Sequence, residues 1–346
     1  MSKRMNLFIL CSFGLCLVLA ACQQNVSPTP VLTATEEISP ASTEEVAPPS
    51  QPAPSEEATS EPVATIPPTV PATPAGGGSG QLVFSSNRGG DYDAIYVMAL
   101  DGSGLTALAQ GEANFFAGPW SPDGQRILFT GFGLTTSYVG VMNADGSGAT
   151  DLSQHPESDE GFPAWSPDGQ WIAFTSRRDG NNEIYRMSAD GSDPLRLTNA
   201  PGDDFAPTWS PDGTQIAFVS DRDREAGYYS IYIMAVDGSG VTRLTEGEGI
   251  DYAPAWSPDG SQIAFRSDLD GVSDIYVIHL DGSGVQNLTN GQGANWAPAW
   301  SPDGTQIVFQ TDRDGNWEIY LMNVDGSEPR NLTQNPADDQ YPFLRP

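Results

Sequence analysis

Five recurring tryptophans, and a leucine standing in place of a sixth, are each preceded at a distance of five residues by Phe115, Glu160, Asp204, Asp251, Asn295 and Asp339. Four of these six are carboxylates, and aromatic rings adjoin them at Phe116, Phe205, Tyr252 and Trp296. Carboxylates beside aromatic faces suit a cation, or a basic or aromatic group of a ligand, because both attract positive charge. Gathered on one rim, Glu160, Asp204, Phe205, Asp251, Tyr252, Asn295, Trp296 and Asp339 would form a binding ring. The plainer reading is that each Asp caps its own turn and the repetition copies it.

A second pattern is Asp312-Arg313-Asp314-Gly315-Asn316-Trp317-Glu318, with Asp268-Leu269-Asp270-Gly271 similar to it. Alternating carboxylates before a glycine suit a hard cation such as calcium, with Asp312, Asp314 and Glu318 as ligands. The same Asp-Gly pair is also an ordinary hairpin turn. No cofactor is expected, and calcium is the one ion these residues suggest. The two histidines, His155 and His279, have no serine or cysteine nucleophile near them in sequence. A carboxylate pair for glycoside cleavage is too easily assembled from 45 acidic residues to count as a signal. The expectation is binding, not catalysis.

The positions are set by a repeat. Trp-Ser-Pro-Asp-Gly recurs at Trp120, Trp165, Trp209, Trp256 and Trp300, 44 to 47 residues apart. A fixed period of that length holding four short apolar runs is the sequence form of a propeller blade. In the unit around Trp209 the predicted strands are 205–209, 215–220, 231–236 and 241–244. Ser210-Pro211-Asp212-Gly213 turns between the first two, proline presetting φ and glycine taking the positive φ that closes the turn. Asp-Gly-Ser marks the hairpin between the last two, and in that place it occurs six times, at Asp101, Asp145, Asp190, Asp237, Asp281 and Asp325. Six hairpins predict six blades. The repeat begins in mid-unit at Gln81 and ends after a first strand at Leu344, so one blade is expected to be stitched from both ends of the region, leaving no open sheet edge there. Five complete blades fall near 115–153, 160–198, 204–245, 251–289 and 295–333. The fold class is all-β, a six-bladed propeller over 81–346.

What precedes it differs in kind. Residues 1–21 carry Lys3 and Arg4 and then an apolar run, Leu7 to Leu19, too short to span a membrane and suited to a signal peptide. Leu19-Ala20-Ala21-Cys22 resembles the bacterial lipobox, which implies cleavage before Cys22 and lipidation of its sulfur. Cys11 and Cys16 fall in the removed part, which leaves no partner for a disulfide. Residues 22–80 follow as a tether of Pro, Ser, Thr, Ala and Glu without an aromatic side chain, unable to offset its chain entropy by burial. The formal charge of −30, with Lys3 the single lysine, sets up a field that repels polyanions and argues against nucleic acid as partner.

With Pro163-Ala164-Trp165-Ser166-Pro167-Asp168-Gly169 leading into Ile172-Ala173-Phe174, then Arg178-Asp179-Gly180 and Glu183-Ile184-Tyr185-Arg186-Met187, the region resembles the WD40-like propeller repeat of TolB-type proteins, also seen in tricorn-like and dipeptidyl peptidases. The resemblance covers 81–346 and implies six blades. It also implies a periplasmic docking platform for envelope proteins. The tether stands where TolB-type proteins carry an α/β domain, and no Gly-x-Ser-x-Gly of a hydrolase domain is present, so neither Tol membership nor peptidase activity is carried over. The expectation is a monomeric, lipid-anchored, extracytoplasmic platform for an envelope protein or peptide, its only tie to the membrane being the Cys22 lipid. The alternative is a carbohydrate or small-ligand module stacking its ligand on Tyr252 and Trp296, with glycan cleavage as a third reading. The connections between second and third strands and between blades vary, whereas the hairpin turns do not, so the variable face is the expected binding face.

Overall fold

The computed structural model describes residues 80–224 and 227–346. The expected signal peptide over 1–21, the lipidated Cys22 and the tether up to residue 79 lie outside the described residues. The rest forms six four-stranded antiparallel sheets, the blades of one propeller. Blade 2 spans 115–151, blade 3 160–196, blade 4 204–243, blade 5 251–287 and blade 6 295–331. Blade 1 joins Asp339–Leu344 to Gln81–Ser86, Ala94–Ala99 and Thr106–Ala109, so its innermost strand comes from the far end of the repeat region. Each first strand touches the first strands of both neighbours, which closes the ring and makes these strands the wall of the central channel.

The blades cohere through their seams. Second strands such as Gln215–Ser220 bury Ile216, Ala217 and Phe218 completely, since both faces of a blade are covered by its neighbours. One cluster joins Ala173, Ile184 and Leu197 of blade 3 to Trp209, Phe218 and Met234 of blade 4. The tryptophan also crosses the seam by hydrogen bond: Trp209 Nε1 donates to Ala164 O at 3.2 Å and Trp300 Nε1 to Ala255 O at 3.0 Å. Trp209 and Trp300 thus bring large apolar area and find a polar partner in the neighbouring blade, whereas among the described residues the buried Nε1 of Trp165 and of Trp256 has none.

Two local features refine the expected strands. Each first strand carries a bulge; in blade 4 the register shifts between Phe205 and Thr208, with Ala206 at φ 51°. The bulge frees a backbone donor that ties blades together: Ala117 N–H donates to Ser85 Oγ, Ala206 N–H to Thr175 Oγ1 and Tyr341 N–H to Gln310 Oε1, at 2.7, 3.0 and 2.8 Å. The fourth strand of blade 4, expected over 241–244, pairs only at Thr242–Arg243. It ends early because the Thr245 hydroxyl replaces the ladder by accepting from Ile231 N–H at 2.9 Å. A short outermost strand leaves little open edge. The Ser-Pro-Asp-Gly turn forms as expected: Asp212 accepts from the Ser210 hydroxyl at 2.6 Å and from Thr214 N–H at 3.0 Å, with Gly213 at φ 71°.

Candidate functional site

The channel end reached by the 2–3 and 4–1 connections holds the residues singled out in the sequence, but with their carboxylates turned inward. Glu160, Asp204 and Asp339 are fully buried. Each meets an arginine from the turn after its blade's second strand: Arg178 at 2.9 Å, Arg222 at 2.7 Å and Arg88 at 2.7 Å. The arginine is held as a staple. Arg222 Nε donates to Ser220 Oγ at 3.0 Å, while its guanidinium lies 5.0 Å from the Phe218 ring and 5.3 Å from Tyr232. In blade 6 the same staple, Arg313, reaches Asn295 Oδ1 at 3.2 Å. The ring of open carboxylates expected from the sequence is therefore corrected in its geometry: these groups face their own arginines. Burial is the main influence on Glu160 and Asp204 and raises both pKa values despite the arginines.

Blades 2 and 5, opposite each other in a ring of six, break the pattern. Blade 5 carries Leu269 where the staple should be, and burial raises the pKa of Asp251 against the hydroxyls of Ser267 and Thr245. Its cation is instead Arg266, from the second strand itself. The Arg266 guanidinium lies 5.4 Å from the Tyr252 ring and 4.6 Å from Trp296, donates to Ile250 O at 2.9 Å, and has Asp268 no nearer than 3.8 Å. Tyr252 and Trp296 stack at 5.9 Å over it. The aromatic contact continues from Tyr252 to Phe205 at 5.8 Å and Tyr229 at 5.2 Å, and from Phe205 to Phe162 at 6.1 Å. Across the channel Phe116 meets Tyr341 and Phe132, each at 5.0 Å. The rim is an aromatic wall over a buried charged layer, with Tyr252 and Trp296 partly open and Phe205 closed.

The calcium pattern does not converge. Asp312 Oδ1 accepts from Ala294 N–H at 2.7 Å, Asp314 holds the Tyr320 hydroxyl, and Glu318 accepts from the Thr333 hydroxyl and Asn335 N–H. Three different jobs draw the three side chains apart, and among the described residues no cluster of three metal-capable side chains forms. Their aspartates are turn and blade fasteners.

One carboxyl at this end has a separate character. Asp93 precedes the third strand of blade 1, and burial, aided by Asp338, pushes its pKa up to about 6. Above pH 6 it is charged in both folded and unfolded states, and only the folded state bears the burial penalty; below pH 3.8 it is neutral in both. The protein's stability should therefore rise as pH falls through this window. Asp93→Asn is expected to stabilise the fold at pH 7.5 by up to about 3 kcal/mol. That gain should vanish by pH 4, which urea melts at the two pH values would test; an equal gain at both would refute the assignment.

Sequence reasoning missed the staples, Arg266 and Tyr229. A signal for the staples was present: Glu160 to Arg178, Asp204 to Arg222 and Asn295 to Arg313 are each 18 residues apart.

Comparison with known proteins agrees with this architecture. A family model described as PD40, TolB beta propeller domain, matches residues 79–248 and 198–292. Among solved structures, TolB from Acinetobacter baumannii aligns with a TM-score of 0.68 at 23% identity, covering 77% of this chain and 67% of that one. A putative TolB from Agrobacterium tumefaciens aligns with a TM-score of 0.60 at 28% identity, covering 74% and 89%. An oligogalacturonate lyase in complex with manganese shares the fold at 17% identity and a TM-score of 0.53, covering 72% of this chain and 73% of its own. No match emerges among curated protein sequences.

Proposed function

Because this chain belongs to the family of the TolB beta propeller domain, we propose that it is a binding platform rather than an enzyme. It acts outside the cytoplasm, held to a bacterial membrane through Cys22, and docks an envelope protein or peptide on the channel-rim face. The observation that carries this reading is where the apolar surface lies. Of the eight large apolar side chains left exposed among the described residues, Tyr92, Leu134, Tyr228, Leu269 and Val272 all sit in 2–3 connections, on that one face. Leu134 is entirely open, and it and Leu269 crown the two opposite blades that lack a staple. Exposed apolar side chains around an aromatic rim are what a protein partner covers. The carboxylates add field and rigidity from below, and Tyr252 and Trp296 supply the centre.

The test compares immobilised propeller with a Leu134→Ser, Leu269→Ser variant and with Leu195→Ser on the opposite face, each incubated with solubilised envelope. The expected result is a protein retained by the parent and by Leu195→Ser and lost from the double variant. The affinity loss should be at least tenfold, or about 1.4 kcal/mol. Equal retention by all three, or none by any, would overturn the reading.

A further inference from the structure

The hairpin-turn face, which repeats almost unchanged around the ring, carries two departures from its own pattern in the seam between blades 3 and 4. In the third strand of blade 3 stands Arg186, at a register where the other blades carry Val97, Val141, Ile233, Val277 and Leu321. In the second strand of the same blade stands Trp171, where the others carry Gln81, Arg126, Gln215, Gln262 and Gln306. The two departures meet, with the Arg186 guanidinium 4.6 Å from the Trp171 ring. Together with Trp209, Asp168, Asp212 and Val236 they line a cavity of about 210 Å³ between blades 3 and 4.

The groups around that cavity are unspent. Among the described residues Arg186 Nε is buried without an acceptor, and the side chain's one hydrogen bond is a long one, from Nη1 to Val236 O at 3.5 Å. In a chain of charge −30 it pairs with no carboxylate among the described residues. Asp168 and Asp212 each commit Oδ1 to their own turn, accepting from the Ser166 hydroxyl at 2.5 Å and the Ser210 hydroxyl at 2.6 Å. Those turn bonds leave each carboxylate its second oxygen as an acceptor. A ligand therefore meets one fixed donor fork, two carboxylate acceptors and two indoles. Two carboxylates against one guanidinium leave the site net negative, which repels an anion, and the mix of donor fork and spare carboxylate oxygens matches vicinal hydroxyls, which both donate and accept. The space is below the roughly 300–1,000 Å³ of pockets for drug-sized ligands, and matches a single ring.

We infer that the seam between blades 3 and 4 is a binding subsite for one uncharged pyranose, held between Trp171, Trp209, Arg186, Asp168 and Asp212. It lies on the opposite face from the docking rim and stands independently of that reading. It also gives the carbohydrate alternative a place away from Tyr252 and Trp296.

The test titrates glucose, galactose and N-acetylglucosamine, with glucuronate as the charged control, into full-length protein, followed by saturation-transfer NMR. Trp171→Gln and Arg186→Val restore the residues of the other blades and so keep the fold. The expected result is saturable binding of at least one neutral sugar, weakened tenfold or more in each variant and unchanged in Leu269→Ser, with glucuronate at least tenfold weaker. No saturable binding of any of the three sugars, binding indifferent to Trp171→Gln, or a preference for glucuronate would each overturn the proposal.

Discussion

Removing residues 339–346 is expected to abolish the cooperative unfolding transition of the propeller. This segment supplies the innermost strand of blade 1, pairing Asp339, Gln340, Phe343 and Leu344 with Ser86, Ser85, Val83 and Leu82. Its loss uncovers Leu82, Val83 and Phe84, all fully buried in the intact ring. Arg88 is left without Asp339, and Gln310 without the Tyr341 N–H that ties blade 1 to blade 6. Deleting one buried aromatic side chain alone costs about 3–5 kcal/mol, and the whole stability of a domain is about 5–15 kcal/mol. The strand also joins blades 2 and 6, so its removal opens the ring instead of trimming an edge. Near-ultraviolet circular dichroism and a thermal melt would check this. A truncated chain that melts cooperatively within a few degrees of the parent would refute the closing role given to the segment.

Arg222→Ala is expected to destabilise the protein by about 3–5 kcal/mol, the usual consequence of stranding one member of a buried ion pair. The Arg222 side chain is 15% exposed and that of Asp204 not at all, so solvent cannot replace the lost partner. For a domain of this size the corresponding fall in Tm is about 10 °C. The cost should also depend on pH. Burial already raises the Asp204 pKa with the arginine present, and losing the arginine raises it further. A raised carboxyl pKa in the folded state means that stability returns as pH falls through it, so the deficit should be larger at pH 8 than at pH 5. Adding Asp204→Asn to Arg222→Ala should recover part of the loss by removing the stranded charge. A single variant within about 2 °C of the parent, or a deficit independent of pH, would show that the staple contributes little.

The two predictions divide along the line between what sequence spacing reveals and what it hides. Ring closure was legible because Gln81–Ser86 reads as a second strand and 338–343 as the start of a first, and a blade needs both. The staple was half legible: the 18-residue interval was there, but nothing in it says whether Asp204 turns toward Arg222 or toward the channel. That choice belongs to side-chain direction at a bulge, where Ala206 at φ 51° re-aims the strand. The rim was legible as a list of positions and misleading as chemistry. Its acids are buried in their own blades, and its exposed surface comes from 2–3 connections such as the one bearing Leu134, on the variable face that the sequence marks for binding.

By itself, then, the amino-acid order determined the blade count, the four-strand unit, the turns and the stitched blade. These depend on backbone preferences within a few residues: proline and glycine at fixed φ, an aspartate bonding to the next N–H, apolar runs of strand length. Only the tertiary structure decided which carboxylates are free, that Tyr252 and Trp296 clamp Arg266, and that Trp171, Arg186 and Trp209 surround one cavity. The first is set inside each blade, by side-chain direction at the bulge; the other two are set where two blades pack laterally, between residues whose separation along the chain carries no information about which side chain will face which.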